Sequence, residues 1–434
     1  MTRQKHLKAA VRARMARTGE HYTTAHRNLT AATGPDRPDL PAGYPAVGGG
    51  RHHDSALLAH VLAAAGVTAD TDGEPLDEAV VAGLAGGIGF MYFTFSYAGS
   101  LPTTTIVPRI HPRPFVGGAL ERAGVGHRVV ETTSAAKAAR ELDAALDAGR
   151  TPVCTLDRGS VPYQAWADDL EGATPYDVAV LGRRDGTVLL DDDRLEPNAV
   201  AEEVFTAARA AHRQSRHRMV VVEPAGAPVA LAPAVRAALA VTVHDLTEDV
   251  MPNNFAGNFG LRGLAKWAGA VADRRSKTGW ARLFDSGPAF ATAMRRLHDC
   301  LTTDHSSPGA VRPLYADFLD AVAGVLDAPA ATECAVLYRR AGDLWTRIAD
   351  EAVGGVMAPY RELAERRMEL LLDRGSAATA ELQELARQAA AFASGLDVPE
   401  AGRLDRLDRI AGLAGEVRDV EREACAALRQ VAAG

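Results

Sequence analysis

The chain reads as an α+β protein, with a mixed domain up to about residue 250 and an all-helical region after it. Three observations predict this. Gly49-Gly50-Arg51-His52-His53-Asp54-Ser55 runs straight into a stretch where Leu57, Leu58, Val61 and Leu62 recur at helical spacing. Val178–Leu181 and Thr187–Leu190 are β-rich runs separated by Arg183-Arg184-Asp185-Gly186. Asp-Gly between two such runs signals a tight hairpin, whose central residues need positive φ. From about residue 255 to the end, apolar residues fall three and four apart, the period of a helix packed on one side.

Taken in order, residues 1–30 form a separate object. Arg3, Lys5, Lys8, Arg12, Arg14 and Arg17 all precede the first acidic residue, Glu20. Leu7, Val11 and Met15 lie four apart, giving an apolar seam on a basic helix that Thr18-Gly19 should end. A short second helix, Ala25–Leu29, would complete a helical hairpin docked on its own domain. The alternative is a basic arm touching nucleic acid or the acidic face of another protein. The segment resembles an N-terminal motif found in actinobacterial proteins. Residues 31–48, with Pro35, Pro38, Pro41 and Pro45, read as an extended linker. Residues 1–30 are therefore expected to be dispensable for folding of the rest.

The next region, 49–250, opens with the glycine loop and its helix. Asp54 or Ser55 can cap the first turn, and Gly66 suits the stop. Gly83–Phe95 is a glycine cluster running into an aromatic strand. No Lys-Ser/Thr follows it and no helix comes next, so tight turns beside a packed strand fit better than a phosphate loop. Thr151–Leu156 reads as a buried strand in which Cys154 is a small hydrophobe, and Arg218–Val222 as a further strand. In 251–434, helical runs at Leu261–Asp273, Pro288–Leu301, Leu314–Leu326, Ala331–Ala352 and Pro359–Leu372 precede two more, near 376–394 and 403–431. They suit an antiparallel bundle with a surface for homodimerisation. Trp166, Trp267, Trp280 and Trp345 are expected in the core, and His244, His298 and His305 in surface or packing positions.

Composition narrows the classes. The chain has 434 residues, 47% hydrophobic and 24% charged, long enough for two or three domains. A formal net charge of −7 argues against a nucleic-acid binder. Cys154, Cys300, Cys334 and Cys425 show no C-x-x-C spacing, which fits a reducing cytoplasm rather than a disulfide framework or zinc ribbon. No run of about 18 apolar residues and no signal peptide appears, so no membrane partner is expected.

The His-x-x-Ser helix start, the Gly86-Gly87-Ile88-Gly89-Phe90 segment and the strand pair ending in Asp191-Asp192 resemble the N-terminal domain of the butirosin-biosynthesis acyltransferase H family. Asn258–Gly263 and Arg312–Leu319 are similar to segments of the helical domain of unknown function that commonly follows it. The resemblance implies a papain-like fold and transfer of an acyl or aminoacyl group from an acyl or peptidyl carrier-protein thioester to a small-molecule amine. The family pattern at the helix start is His-Cys-x-Ser/Thr, with cysteine as nucleophile. Laid on this chain, the histidine is His52, the cysteine place holds His53, and Ser55 keeps the hydroxyl. Where the family has its base histidine, Thr174-Pro175-Tyr176-Asp177 offers Tyr176 or Asp177. The third element survives as Asp191 or Asp192.

Both the thiol and its base are thus absent from their expected places. A thioester is already activated, so an amine can attack it directly if the protein supplies a base, oxyanion donors and orientation. His53 at a helix N-terminus would be biased toward neutral imidazole, the form a base requires. His52 stands beside it, and Asp177, Tyr176 and Asp191 would orient the base or hold the amine. Asp54, Ser55, Gly86, Gly87 and Asp192 would contact substrate. Cys154 as a displaced nucleophile, an inactive binding protein on the same fold, and a metal or haem site using His52 and His53 are the alternatives. His53 and His60, seven apart, share a helix face, but that spacing is too wide for one metal without other ligands. No cofactor is expected.

Overall fold

The structure is a computed structural model that describes residues 40–45, 47, 50–166, 172–192, 196–251 and 254–433. The expected N-terminal hairpin and most of the expected linker lie outside the described residues. The strands are β1 (Ile88–Phe95), β2 (Thr103–Arg109), β3 (His127–Val130), β4 (Val153–Asp157), β5 (Pro175–Arg184), β6 (Thr187–Asp191), β7 (Asn198–Ala201) and β8 (Met219–Val222). The first helices are α1 (His53–Ala64), α2 (Glu78–Leu84), α3 (Phe115–Arg122), α4 (Ala135–Asp147), α5 (Glu202–Ala211) and α6 (Leu231–Thr247). From there the chain is helical: α7 (Gly260–Ala272), α8 (Trp280–Leu283), α9 (Gly287–Thr302), α10 (Arg312–Leu326), α11 (Ala330–Ala352), α12 (Ala358–Arg374), α13 (Thr379–Gly395) and α14 (Glu400–Ala433). Mixed α+β architecture with a helical C-terminal region is what the hydrophobic periods predict.

The chain forms two compact units that interleave along the sequence. One comprises Met1–Glu78, Val125–Val229 and Glu365–Arg387, the other Ala79–Gly124, Ala230–Ala364 and Gln388–Gly434.

The first unit is built on a six-stranded antiparallel sheet in the order β3-β8-β4-β5-β6-β7. The Asp-Gly hairpin joins β5 and β6 with Arg184 paired to Thr187, and Asp185 and Gly186 both take positive φ (49° and 74°). That combination is what a two-residue I′ turn requires. Cys154, Leu156, Val178, Val180, Val188 and Leu190 fill one face of β4–β6 and pack with Phe205, Leu370 and Leu382. Alternation along the strands sends Thr155 and Asp177 to the opposite face, where they sit directly across from one another.

The second unit pairs the β1/β2 hairpin with the long helices. Its aromatic centre is Phe90, Trp267 and Trp345, with Trp267 and Trp345 ring centroids 5.4 Å apart. The Arg312 guanidinium is fully buried there. It donates to Glu421 Oε1 (2.6 Å) and to the carbonyls of Pro108 (2.6 Å), Ala310 (2.9 Å) and Gly89 (3.0 Å). A charge taken out of water needs this many partners to remain a charge. Trp267, Trp280 and Trp345 are core residues as expected, whereas Trp166 is only half-buried beneath the Arg367 guanidinium. No helix among the described residues is long and apolar enough to cross a membrane.

All four cysteines are buried, and burial raises each thiol above its ordinary range, Cys334 to about 12 and Cys425 to about 11. Thiolate is the reactive form. Titration with a disulfide reagent at pH 8 should therefore modify none of the four rapidly in the native protein and all four once it is unfolded. Rapid reaction at Cys154 in the native state would place that thiol in reach of solvent.

Candidate active site

Helix α1 begins at His53, with His52 in extended conformation as its N-cap. The N-cap is thus His52, ahead of the expected Asp54 or Ser55, and its side chain makes no capping hydrogen bond. Instead the amides of Arg51 and His52 both donate to Glu78 Oε1, each at 2.7 Å. A carboxylate 26 residues further along the chain thus ties down the two amides that lead into the helix, a contact that local capping rules do not see. The His52 Nδ1 and Ser55 Oγ are 2.7 Å apart, one turn along the same face, and both residues are buried. Buried Asp54 lies in the first turn, where the helix dipole favours its charge. Gly66, at φ 75°, ends the helix as expected. Its amide donates to Ala63 and the Val67 amide to Leu62, the two bonds of a Schellman stop.

The first residue of α1 is fastened to β5. His53 Nε2 lies 2.6 Å from the carbonyl oxygen of Asp177. A carbonyl only accepts, so Nε2 carries the proton and, in the neutral ring, Nδ1 holds the lone pair. The His53 ring also meets Tyr176 at 5.9 Å between centroids. The Asp177 carboxylate accepts from Thr155 Oγ1 at 2.6 Å across the β4/β5 ladder.

One strand further on, Asp191 and Asp192 are both buried and point to different partners. Asp191 Oδ2 accepts from Tyr44 Oη (2.7 Å) and lies 2.7 Å from His60 Nδ1. Burial, followed by the Asp191 charge and hydrogen bond, holds the Tyr44 hydroxyl well above the usual tyrosine range, so it stays a donor. Asp192 accepts from Tyr163 Oη (2.8 Å), Gln164 Nε2 (3.0 Å) and Asn198 Nδ2 (2.6 Å).

The structure therefore brings His53, Tyr176 and Asp177 together, with His52 and Ser55 in the first turn of the same helix. Asp191 sits across the ladder from Ala179, on the strand next to Asp177. Gly86 and Gly87 are in the second unit. Their φ values, 103° and 56°, turn the chain between α2 and β1. A Cβ at either would stand 2.3 Å from Ile110 or Tyr315, so both glycines are packing positions. Cys154 is fully buried in β4, and desolvation pushes its thiol up, away from the thiolate a nucleophile needs. Among the described residues no group of three or more His, Cys, Asp or Glu side chains is arranged to hold a metal ion.

Sequence reading passed over Tyr44, Glu78, Thr155 and Asp157. Tyr44 sits in a proline- and glycine-rich stretch, and Glu78 has no local motif. His60 was visible as the residue seven after His53 on one helix face, yet its partner is a carboxylate. Asp157 is buried at the end of β4. Burial works to raise its carboxyl, but hydrogen bonds from Ser160 and from the amides of Gly172, Thr174 and Ser160 outweigh this and hold it below the usual range. Through Thr174 it fixes the entry of β5 and hence the Tyr176–Asp177 pair.

Residues 52–193 match the family described as butirosin biosynthesis protein H, N-terminal, and residues 205–370 match a domain of unknown function, DUF4872. The two stretches cover most of the chain in the expected order. No curated protein matches it.

Asp157 titrates below an unfolded carboxylate, so its contribution is fully present above the unfolded value and is lost as the pH falls toward the folded one. Asp157→Ala should lower stability at pH 7 by about 2–3 kcal/mol, the worth of hydrogen bonds to a buried charge. It should also flatten the loss of stability between about pH 5 and pH 2. Denaturant melts of both proteins across that range check this; parallel curves would show that the carboxylate carries no linkage.

Proposed function

We propose that this chain, which carries the butirosin biosynthesis protein H N-terminal domain followed by DUF4872, is an acyltransferase of specialised-metabolite biosynthesis. On this reading it joins a carrier-protein-bound acyl or aminoacyl thioester directly to an amine on a papain-like arrangement. The family name ties the domain to butirosin biosynthesis, and the order of the two domains supports the same origin. The observation that carries the mechanism is the 2.6 Å contact from His53 Nε2 to the Asp177 carbonyl. On this reading it corresponds to the place where a papain-like enzyme would set its nucleophile against the strand bearing the base.

In the proposed reaction the amine nitrogen attacks the thioester carbonyl, forming C–N, and His53 Nδ1 takes the proton the ammonium sheds. The C–S bond then breaks, and the leaving thiolate recovers that proton as a thiol. No acyl-enzyme forms, because an imidazole at position 53 would give a labile acyl-imidazole and Cys154 is buried as a thiol. The positive end of α1 and the orienting Asp177 carbonyl serve a base that must begin neutral. The rate should therefore rise with pH as the imidazole loses its proton.

The absence of both the cysteine and the base histidine favours a second reading, an inactive binding protein that kept the fold. One experiment separates the two. The protein is given a carrier-bound thioester, first without amine and then with a panel of amines, and both intact protein and products are weighed. The acyltransferase should show no stable mass increase without amine and an amide with it. His53→Ala should cost at least 100-fold, within the usual range for a general base, while Cys154→Ser stays near wild type. A stable adduct on Cys154 would restore a thiol mechanism. No product with any amine, or full activity in His53→Ala, would remove His53 from the chemistry.

A further inference from the structure

Between Glu203 and Glu223 the sequence holds four arginines, Arg209, Arg213, Arg216 and Arg218, with His212 and His217 and no carboxylate. In a chain of net charge −7 this is a concentrated block of the opposite sign. The arginines do not share one role. Arg209 is buried and donates to the His217 carbonyl (3.1 Å), and Arg218 stands 3.6 Å from Glu131. Arg213 and Arg216 are exposed, and neither forms an ion pair among the described residues.

The loop that carries them is strained and held by several hydrogen bonds. Arg216 and His217 are consecutive non-glycine residues at φ 49°, a left-handed conformation that L side chains avoid. Four hydrogen bonds impose it. The Arg216 carbonyl accepts from the Thr132 amide (2.7 Å), and the Arg218 amide donates to Ser215 (2.8 Å). The Arg209 guanidinium holds His217, and the Thr155 amide donates to the Arg218 carbonyl (3.1 Å). Glycine or asparagine would take those angles more readily, so the basic side chains are kept where backbone geometry disfavours them. The last bond also places the loop one residue from the site, since Thr155 holds the Asp177 carboxylate whose backbone binds His53.

We propose that Arg213 and Arg216 form a preorganised docking surface for the acidic face of the carrier protein that presents the thioester, a partner that rests on the function proposed above. A net-negative protein repels an acidic partner at long range, so exposed arginines that form no ion pair among the described residues both steer and orient the encounter. Seating the partner beside the β4/β5 ladder sets it at the strand that positions His53.

The test titrates the full-length protein into a fluorescently labelled, acidic bacterial acyl carrier protein of fatty-acid synthesis, at low and at physiological salt. Binding should weaken with salt, and Arg213→Glu with Arg216→Glu should weaken it at least tenfold and flatten the salt dependence. Arg275→Glu with Lys277→Glu makes the same charge change at exposed positions of the second unit and should leave binding unchanged. Arg213→Lys with Arg216→Lys should restore most of the affinity, and thermal melts report whether each variant is folded. Equal losses in both Glu pairs would reduce the effect to net charge, and no binding by wild type would refute the surface; either overturns the proposal. Turnover of a short synthetic thioester by the wild-type protein reads the proposed reaction separately. If docking behaves as stated but that thioester is never consumed with any amine, the surface stands and the acyltransferase reading fails.

Discussion

The bond from His53 Nε2–H to the Asp177 carbonyl is the constraint on which the site depends. It ties the first residue of a helix to the interior of a strand, and in doing so it fixes a tautomer. A histidine at a free helix N-terminus can rotate and exchange its proton between nitrogens. Here the carbonyl accepts only, so the ring presents one defined lone pair. The Thr155 hydroxyl, holding the Asp177 side chain, and Asp157, holding the entry to β5, keep that carbonyl in place.

Buried carboxylates organise the rest of the first unit. Asp157, Asp191 and Asp192 are each almost wholly removed from water, and each is met by two or more donors. Burying an ionised group without such partners costs far more than any single packing contact returns. The three networks therefore fix the ends of β4 and β6 and, through Tyr44, a segment well before the first helix. In the second unit the Arg312–Glu421 pair follows the same rule with the signs arranged around a guanidinium.

Periodicity made the elements legible. The leucine spacing of α1, its stop at Gly66, the Asp-Gly hairpin and the long C-terminal helices all follow from local rules, and the domain order along the chain was readable from short motifs. The interleaving of the two units was not, because nothing local says that Ala79–Gly124 packs with helices more than a hundred residues later. The site was half visible. His53 and Asp177 could be brought together by alignment, but the contact uses the backbone of Asp177, and a carbonyl leaves no trace in residue identity. Glu78 likewise holds the entry to α1 through a contact between residues distant in sequence, which no local motif announces. Gly86 and Gly87 take positive φ, and a Cβ at either would meet Ile110 or Tyr315, in keeping with the tight turns beside a packed strand that the sequence suggested.

The proposed chemistry requires His53 protonated on Nε2, the atom that faces the Asp177 carbonyl, with the lone pair of the neutral ring on Nδ1. Long-range proton–nitrogen correlation NMR on protein labelled with nitrogen-15 in its histidines reads this directly, with His53→Gln identifying the resonance. At a pH where the ring is neutral, the account predicts an Nε2–H tautomer for His53, with Nδ1 at the shift of an unprotonated nitrogen. A neutral ring protonated on Nδ1, or rapid averaging between the two tautomers, would contradict it.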